Sequence, residues 1–148
     1  MLARWLVAFA LALGLSAGPA LAQAPAKEHK LVLHVDDNEP AKMNLALNNL
    51  SNVYDFYKKK GEKIRVELVA YGPGMHMFRA DTSPVRSRLD QIKLAYDNVV
   101  YTACGNTIAG MEKAEGKEIK LVEDVTVAEA GVVRLIELQE QGWSYVRP

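Results

Sequence analysis

Short runs of apolar and β-branched residues recur along the chain and predict five β-strands. The runs are 29–35 (HKLVLHV), 64–71 (IRVELVAY), 99–103 (VVYTA), a stretch within 119–125, and 143–146 (WSYV). The segments LVLHV and VVYTA are apolar or β-branched at most positions, which is typical of parallel strands covered on both faces. The pattern therefore predicts a buried parallel sheet at the centre of the fold.

The segments between these runs have the spacing of amphipathic helices. From Met43 to Tyr57, apolar residues recur every three or four positions, and the segment ends near Gly61. Further helices are predicted at about 83–96, 108–114 and 126–142. The last one would begin with a capping box, in which the side chains of Thr126 and Glu129 each bond a free backbone N–H group.

The alternation of strands and helices predicts the fold class. It indicates a single α/β domain, a three-layer α/β/α sandwich with a mostly parallel five-stranded sheet. In open parallel sheets, ligands bind beyond the carboxyl ends of the strands. This rule selects the loops 36–38, 72–77 and 104–107, each of which contains residues with useful chemistry.

The N-terminus has the features of an export signal. A positively charged start is followed by an apolar stretch at 5–15 and by the small-residue sequence Ala20-Leu21-Ala22. These features predict a cleaved signal peptide at 1–22, a flexible leader at 23–28 and the folded domain at 29–148. The apolar stretch is shorter than the roughly 20 residues of a membrane-spanning helix. We therefore expect a periplasmic or secreted protein with no membrane attachment after cleavage.

Charge and cysteine content narrow the function. The chain has 18 basic and 18 acidic residues, and removal of the signal with Arg4 leaves 17 − 18 = −1. A nucleic-acid partner would require a basic excess, so this class is not expected. The single cysteine, Cys104, cannot form a disulfide within the chain.

Cys104 directly follows the third predicted strand and precedes a helix. Free N–H groups at a helix start stabilise an anion and favour the reactive thiolate. Gly105 lets the backbone approach a ligand closely, and Asn106 or Thr107 could cap the helix or donate a hydrogen bond to a bound anion. The alternative is an inert buried thiol that packs as a small apolar side chain.

The loop after the second strand offers backbone groups and a histidine. Gly72 and Gly74 flank a proline in a tight turn, which also suits a ligand that approaches the backbone. His76 lies between Met75 and Met77, and this set could bind Cu(I) because thioethers are soft ligands. Methionines that fill gaps in the core are the alternative.

His34 and Asp36 end the first strand and are predicted to point to the same side of the sheet. They could orient one another or accept a proton from Cys104. Alternatively, Asp36 or Asp37 caps the next helix, which begins at Pro40.

Several segments together resemble the DsrE/DsrF-like proteins. They are HVDD at the first strand end, VAYGPGM, the segment YTACGNT around Cys104, and the C-terminal LQEQGWSYVRP. The resemblance covers about 29–148 and implies a small α/β sandwich that assembles as trimers or hexamers. It also implies that a cysteine carries sulfur as a persulfide between partner proteins, and Cys104 matches that cysteine in position.

The leading hypothesis is an exported sulfur carrier or thiol-redox protein with Cys104 as the persulfide acceptor and no cofactor. We expect a homo-oligomer that meets a sulfur donor or acceptor protein. The remaining candidate site residues are Gly105, Asn106, Thr107, Gly72, Gly74, His76 and Asp36. Two alternatives stay open: a module that binds a small anion in the same cleft without covalent chemistry, and a Cu(I)-binding module.

Overall fold

The computed structural model describes residues 27–148, so the predicted signal peptide and all but the end of the leader lie outside the described residues. The strands are β1 (Glu28–Val35), β2 (Lys63–Ala70), β3 (Val99–Cys104), β4 (Val125–Ala128) and β5 (Ser144–Val146). The α-helices are α1 (Pro40–Lys59), α2 (Arg86–Ala95), α3 (Gly105–Glu115) and α4 (Gly131–Glu140). A 3₁₀ helix spans Gly72–Met77. In the part of the chain so described, no helix is both long and apolar enough to cross a membrane.

The five strands form one parallel sheet in the order β4-β3-β2-β1-β5. This confirms the predicted sandwich with a parallel sheet. Because all strands run in the same direction, their carboxyl ends meet at one edge, and the loops selected from the sequence follow that edge.

The helices cover the two faces of the sheet unequally. Successive strand residues point to opposite faces, so Leu31 and Leu33 of β1 join the main core whereas Val32 joins a second cluster. Helices α1 and α2 and the 3₁₀ helix supply the main core, and α3 packs against it. Helix α4 covers the other face with Leu135 and Leu138. Alternation along β3 places Cys104 on the α4 side, with Val100 and Thr102.

A buried ion pair fastens α4 to the sheet. Glu67 lies in the middle of β2 and is only 2% exposed. Arg134 of α4 donates two hydrogen bonds to its carboxylate, each 2.8 Å long, and the Thr102 hydroxyl donates a third of 2.8 Å. Because the buried carboxylate has three donors, its charge is compensated in the interior.

The predicted boundary between the fourth strand and the last helix is wrong. Thr126 lies inside β4, where its hydroxyl donates to the Tyr101 carbonyl oxygen at 2.9 Å, so it cannot cap a helix. Helix α4 begins five residues later, at Gly131, without a side-chain cap. Three successive β-branched or apolar residues, Val125 to Val127, favour the strand, and pairing with β3 fixes it.

A buried arginine anchors the segment after the 3₁₀ helix. Arg79 is 1% exposed, and its guanidinium bonds the carboxylates of Asp81 and of Glu115 in α3. The hydrogen bonds from Arg79 hold the pKa of Asp81 well below its usual range. This network attaches α3, the helix that follows Cys104, to the rest of the main core.

Candidate functional site

Cys104 is the last residue of β3 and also the N-cap of α3. The helix begins at Gly105, three residues earlier than the sequence predicted, so its free N–H groups lie next to the thiol. The residue is 5% exposed. The structure thus combines the two features left open by the sequence: burial and a helix N-terminus.

The environment of Cys104 favours the thiolate. Burial alone raises the pKa of the thiol, but hydrogen bonds from the Thr107 hydroxyl and from the backbone N–H groups of Gly131 and Thr107 outweigh it. The net effect is a pKa below the ordinary value of a cysteine. The Asn106 N–H also lowers the pKa of the thiol, and it donates a hydrogen bond of 3.0 Å to the Glu129 carbonyl oxygen.

A second helix start reaches the thiol from the opposite side. A Cβ atom added to Gly131, the first residue of α4, would lie 3.1 Å from the Cβ of Cys104 and 3.0 Å from Cδ1 of Tyr71. Only a glycine allows this approach without a shift of neighbouring atoms. Since the N-termini of α3 and α4 both meet at Cys104, both helix dipoles favour a negative charge there.

Thr107 connects the thiol to the Gly72 loop. The Gly72 N–H donates to Thr107 Oγ1 at 3.0 Å, which leaves the hydroxyl hydrogen for the sulfur. Gly72 has a φ of +52°, a left-handed conformation that favours glycine. The expected helix cap by Asn106 or Thr107 is wrong, because α3 has no side-chain cap bond.

The remaining glycines of the predicted site permit close packing. A Cβ on Gly105 would lie 3.1 Å from the Ala128 carbonyl oxygen, so this glycine lets α3 start against β4. A Cβ on Gly74 would lie 2.2 Å from the Val35 carbonyl oxygen. Gly74 is buried and holds the 3₁₀ helix against the end of β1.

The Met-His-Met segment lies within the 3₁₀ helix. Met75 and Met77 are completely buried in the main core, as the gap-filling interpretation predicts. His76 bonds the Thr82 hydroxyl through Nδ1 at 2.8 Å. Within 27–148, no three His, Cys, Asp or Glu side chains cluster closely enough to hold a metal ion.

At the end of β1, Asp36 and Asp37 bind cations instead of capping α1. Asp36 accepts a hydrogen bond of 2.9 Å from Arg147 Nε and forms an ion pair of 2.9 Å with its Nη2, and Asp37 pairs with Lys42. The predicted cap is therefore wrong: the N-cap of α1 is Glu39, without a side-chain bond. Burial lowers the pKa of His34.

Tyr71, which follows β2, is a neighbour of the thiol that was not predicted from the sequence. Its side chain lies beside Gly131, which also adjoins Cys104, and its ring packs against the His34 ring at a tilt of 32°, with centroids 4.4 Å apart. A tyrosine directly after a central strand could have been recognised as a site residue by its position at the carboxyl edge. His34 and Cys104 are thus parts of one continuous row of side chains.

A separate pocket of about 350 Å³ lies at the opposite edge of the sheet. It is lined by residues that include His29 and Tyr57, whose rings stack with centroids 3.8 Å apart, and Glu62 bonds His29 at 2.6 Å. These residues belong to the amino ends of β1 and β2 and the end of α1. The pocket is therefore remote from the thiol.

No family model matches the chain, and a comparison with curated proteins gives no match. Among solved structures, the chain is similar to the protein of unknown function MTH1491 from Methanobacterium thermoautotrophicum, with a TM-score of 0.69 and 29% sequence identity. The similarity covers 81% of this chain and 99% of that chain. It supports the α/β fold described above.

Proposed function

We propose that this protein is a DsrE-like sulfur carrier in which Cys104 accepts sulfur as a persulfide. The observation that carries the proposal is the position of the thiol at two helix starts: Cys104 is the N-cap of α3, and the Cβ position of Gly131, the first residue of α4, is 3.1 Å from the Cys104 Cβ. The free N–H groups of these two helix starts and the Thr107 hydroxyl are donors that lower the pKa of the thiol. Such donors stabilise a thiolate, which is the nucleophile, and they also stabilise the anionic form of a terminal persulfide.

The chemical step is an exchange at sulfur. The Cys104 thiolate attacks the outer sulfur of a donor persulfide, the S–S bond of the donor breaks, and a new S–S bond forms at Cys104 Sγ. The donor leaves as a thiolate. The transferred sulfur keeps its proton and becomes the outer sulfur of the Cys104 persulfide. No external oxidant is required, because both electrons of the broken bond leave with the donor.

Intact-mass measurement after incubation with a small-molecule persulfide tests the proposal. We expect the wild-type protein to gain the mass of one sulfur atom and to lose it again on addition of a thiol. The Cys104→Ser variant, which has no thiol, is the matched control and should gain nothing. An unchanged wild-type mass, or an equal gain on the variant, would contradict the proposal.

Thr107 gives a second, graded test. We expect Thr107→Val to raise the pKa of the Cys104 thiol, because the hydroxyl donor is lost, and to slow alkylation at neutral pH by roughly threefold to tenfold. The pH profile of the alkylation rate measures both quantities. Thr107→Ser keeps the hydroxyl and should react within about twofold of wild type. Equal profiles for the valine and serine variants would exclude Thr107 as a thiolate donor.

A further inference from the structure

The Tyr71 side chain lies near Cys104, beside the start of α4. Both residues approach the same point: the Cβ position of Gly131 is 3.1 Å from the Cys104 Cβ and 3.1 Å from the Tyr71 Cβ. Tyr71 is partly exposed, whereas the thiol beneath this contact is 5% exposed. A sulfur donor that approaches Cys104 past the start of α4 therefore meets the Tyr71 side chain.

The ring is held in place by a buried histidine. His34 is 3% exposed and packs against the Tyr71 ring at a tilt, and its Nδ1 lies 2.8 Å from the Tyr145 hydroxyl. No atom in residues 27–148 bonds Nε2, the second nitrogen of the ring. A buried polar atom without a partner is costly, and a protonated ring would place a positive N–H in the same position.

Burial is the main influence that opposes protonation of His34 in the closed arrangement, and the charges nearby act in both directions: Asp36 favours the protonated ring and Arg147 opposes it. Arg147, after β5, donates one hydrogen bond of 2.9 Å to Asp36 and forms an ion pair of 2.9 Å with its second carboxylate oxygen. Asp37 and Lys42 line the same small pocket and neutralise each other. The two aromatic neighbours of His34, Tyr71 and Tyr145, are uncharged.

The strand that completes this arrangement is the shortest of the sheet. β5 has three residues, pairs with β1 alone, and all three of its residues are exposed. A short edge strand with little buried area opens at lower cost than the central strands. Segment 144–148 is therefore the part that can separate from His34 without unfolding of the core.

We propose that Tyr71 is a cover over Cys104, and that protonation of His34 releases the cover by separating 144–148 from β1. This device regulates access to the proposed sulfur site and rests on the proposed function for its purpose. Its structural consequence, exposure of the thiol in mild acid, can be measured without any sulfur donor.

The direction of the pH effect follows from proton linkage. Burial lowers the pKa of His34 in the closed arrangement, whereas the exposed ring of the open arrangement has the ordinary value of about 6.5. The closed arrangement is therefore fully stable above the ordinary value. As the pH falls below this ordinary pKa, the closed arrangement loses stability relative to the open one. The loss stops once the pH is below the lowered pKa that His34 has in the closed arrangement.

Alkylation of Cys104 in wild type and in His34→Phe tests the proposal. Phenylalanine keeps an aromatic ring against Tyr71 but cannot be protonated. We divide the alkylation rate of wild type by that of His34→Phe at each pH. The thiolate fraction changes with pH in both proteins and therefore cancels in this ratio. Between about pH 7.5 and about pH 5.5 we expect this ratio to rise by about threefold or more. A ratio that stays constant would overturn the proposal.

Two further measurements separate the possible failures. In wild type alone, hydrogen exchange of 144–148, corrected for its intrinsic pH dependence, should accelerate over the same pH range. The Asp36→Asn variant should shift this transition to higher pH, because it removes the ion pair that ties Arg147 to the end of β1 and lowers the pKa of His34 further in the closed arrangement. Uniform exchange across the pH range would contradict the proposal even if His34→Phe does not fold. If the thiol becomes exposed in a pH-dependent way but forms no persulfide, the proposed function is rejected, whereas the proposal that Tyr71 covers Cys104 still holds.

Discussion

Replacement of Arg134 by alanine should lower the free energy of unfolding by about 3 kcal/mol. The variant leaves the Glu67 carboxylate, 2% exposed in the middle of the sheet, with the Thr102 hydroxyl but without its cation. Loss of one partner of a buried ion pair costs about 3–5 kcal/mol. We expect the lower end because the Arg134 side chain is 31% exposed, so that water can enter the space it leaves. Urea unfolding at neutral pH measures the change.

The same variant should also expose the thiol. Helix α4 contributes the Gly131 N–H to Cys104, and the Glu67–Arg134 pair fastens this helix to the sheet. A loosened α4 should therefore increase the alkylation rate of Cys104 per thiolate. The matched control is the double variant Glu67→Leu/Arg134→Leu, because an apolar pair of similar volume can replace a buried ion pair at little cost. If the double variant is as unstable as Arg134→Ala, the loss comes from packing and not from the unpaired carboxylate.

Most of the sheet could be predicted from the sequence because its central strands are short apolar runs separated by helical patterns. The fourth strand could not be placed, because 119–125 contains an apolar run that pairs elsewhere. Val122 donates a backbone hydrogen bond of 2.9 Å to the Phe78 carbonyl oxygen, and Leu121 forms an antiparallel bridge with Arg79. A contact between segments about forty residues apart decides which part of this run joins the sheet.

The position of Cys104 at a strand end was predicted correctly because it depends on local sequence alone. The contribution of Gly131 was missed for two reasons. The misplaced capping box put this glycine inside a helix, and its approach to Cys104 depends on how α4 crosses the sheet. Glu67 was missed because a single glutamate in a strand run resembles a solvent-facing residue, and the arginine that binds it is far away in the sequence.

Gly74→Ala should destabilise the protein by about 3 kcal/mol or more, the upper range for overpacking. The added Cβ would lie 2.2 Å from the Val35 carbonyl oxygen, 2.6 Å from its carbonyl carbon and 2.8 Å from the Asp36 nitrogen. These are backbone atoms at the end of β1, so no rotation of a flexible side chain can relieve the overlap. The 3₁₀ helix would have to move away from the sheet, and Gly72 with it.

The displacement should reach the thiol, because the Gly72 N–H positions the Thr107 hydroxyl beside Cys104. We therefore expect Gly74→Ala to reduce the alkylation rate at neutral pH as well as the stability. Gly110→Ala is the matched control, since nothing lies within 4 Å of its added Cβ and the residue is in the interior of α3. Alanine there should stabilise the helix by about 0.5–1 kcal/mol and leave the alkylation rate unchanged. If Gly74→Ala is destabilised while its thiol titrates as in wild type, the 3₁₀ helix supports the fold without tuning Cys104, and the connection through Gly72 and Thr107 is wrong.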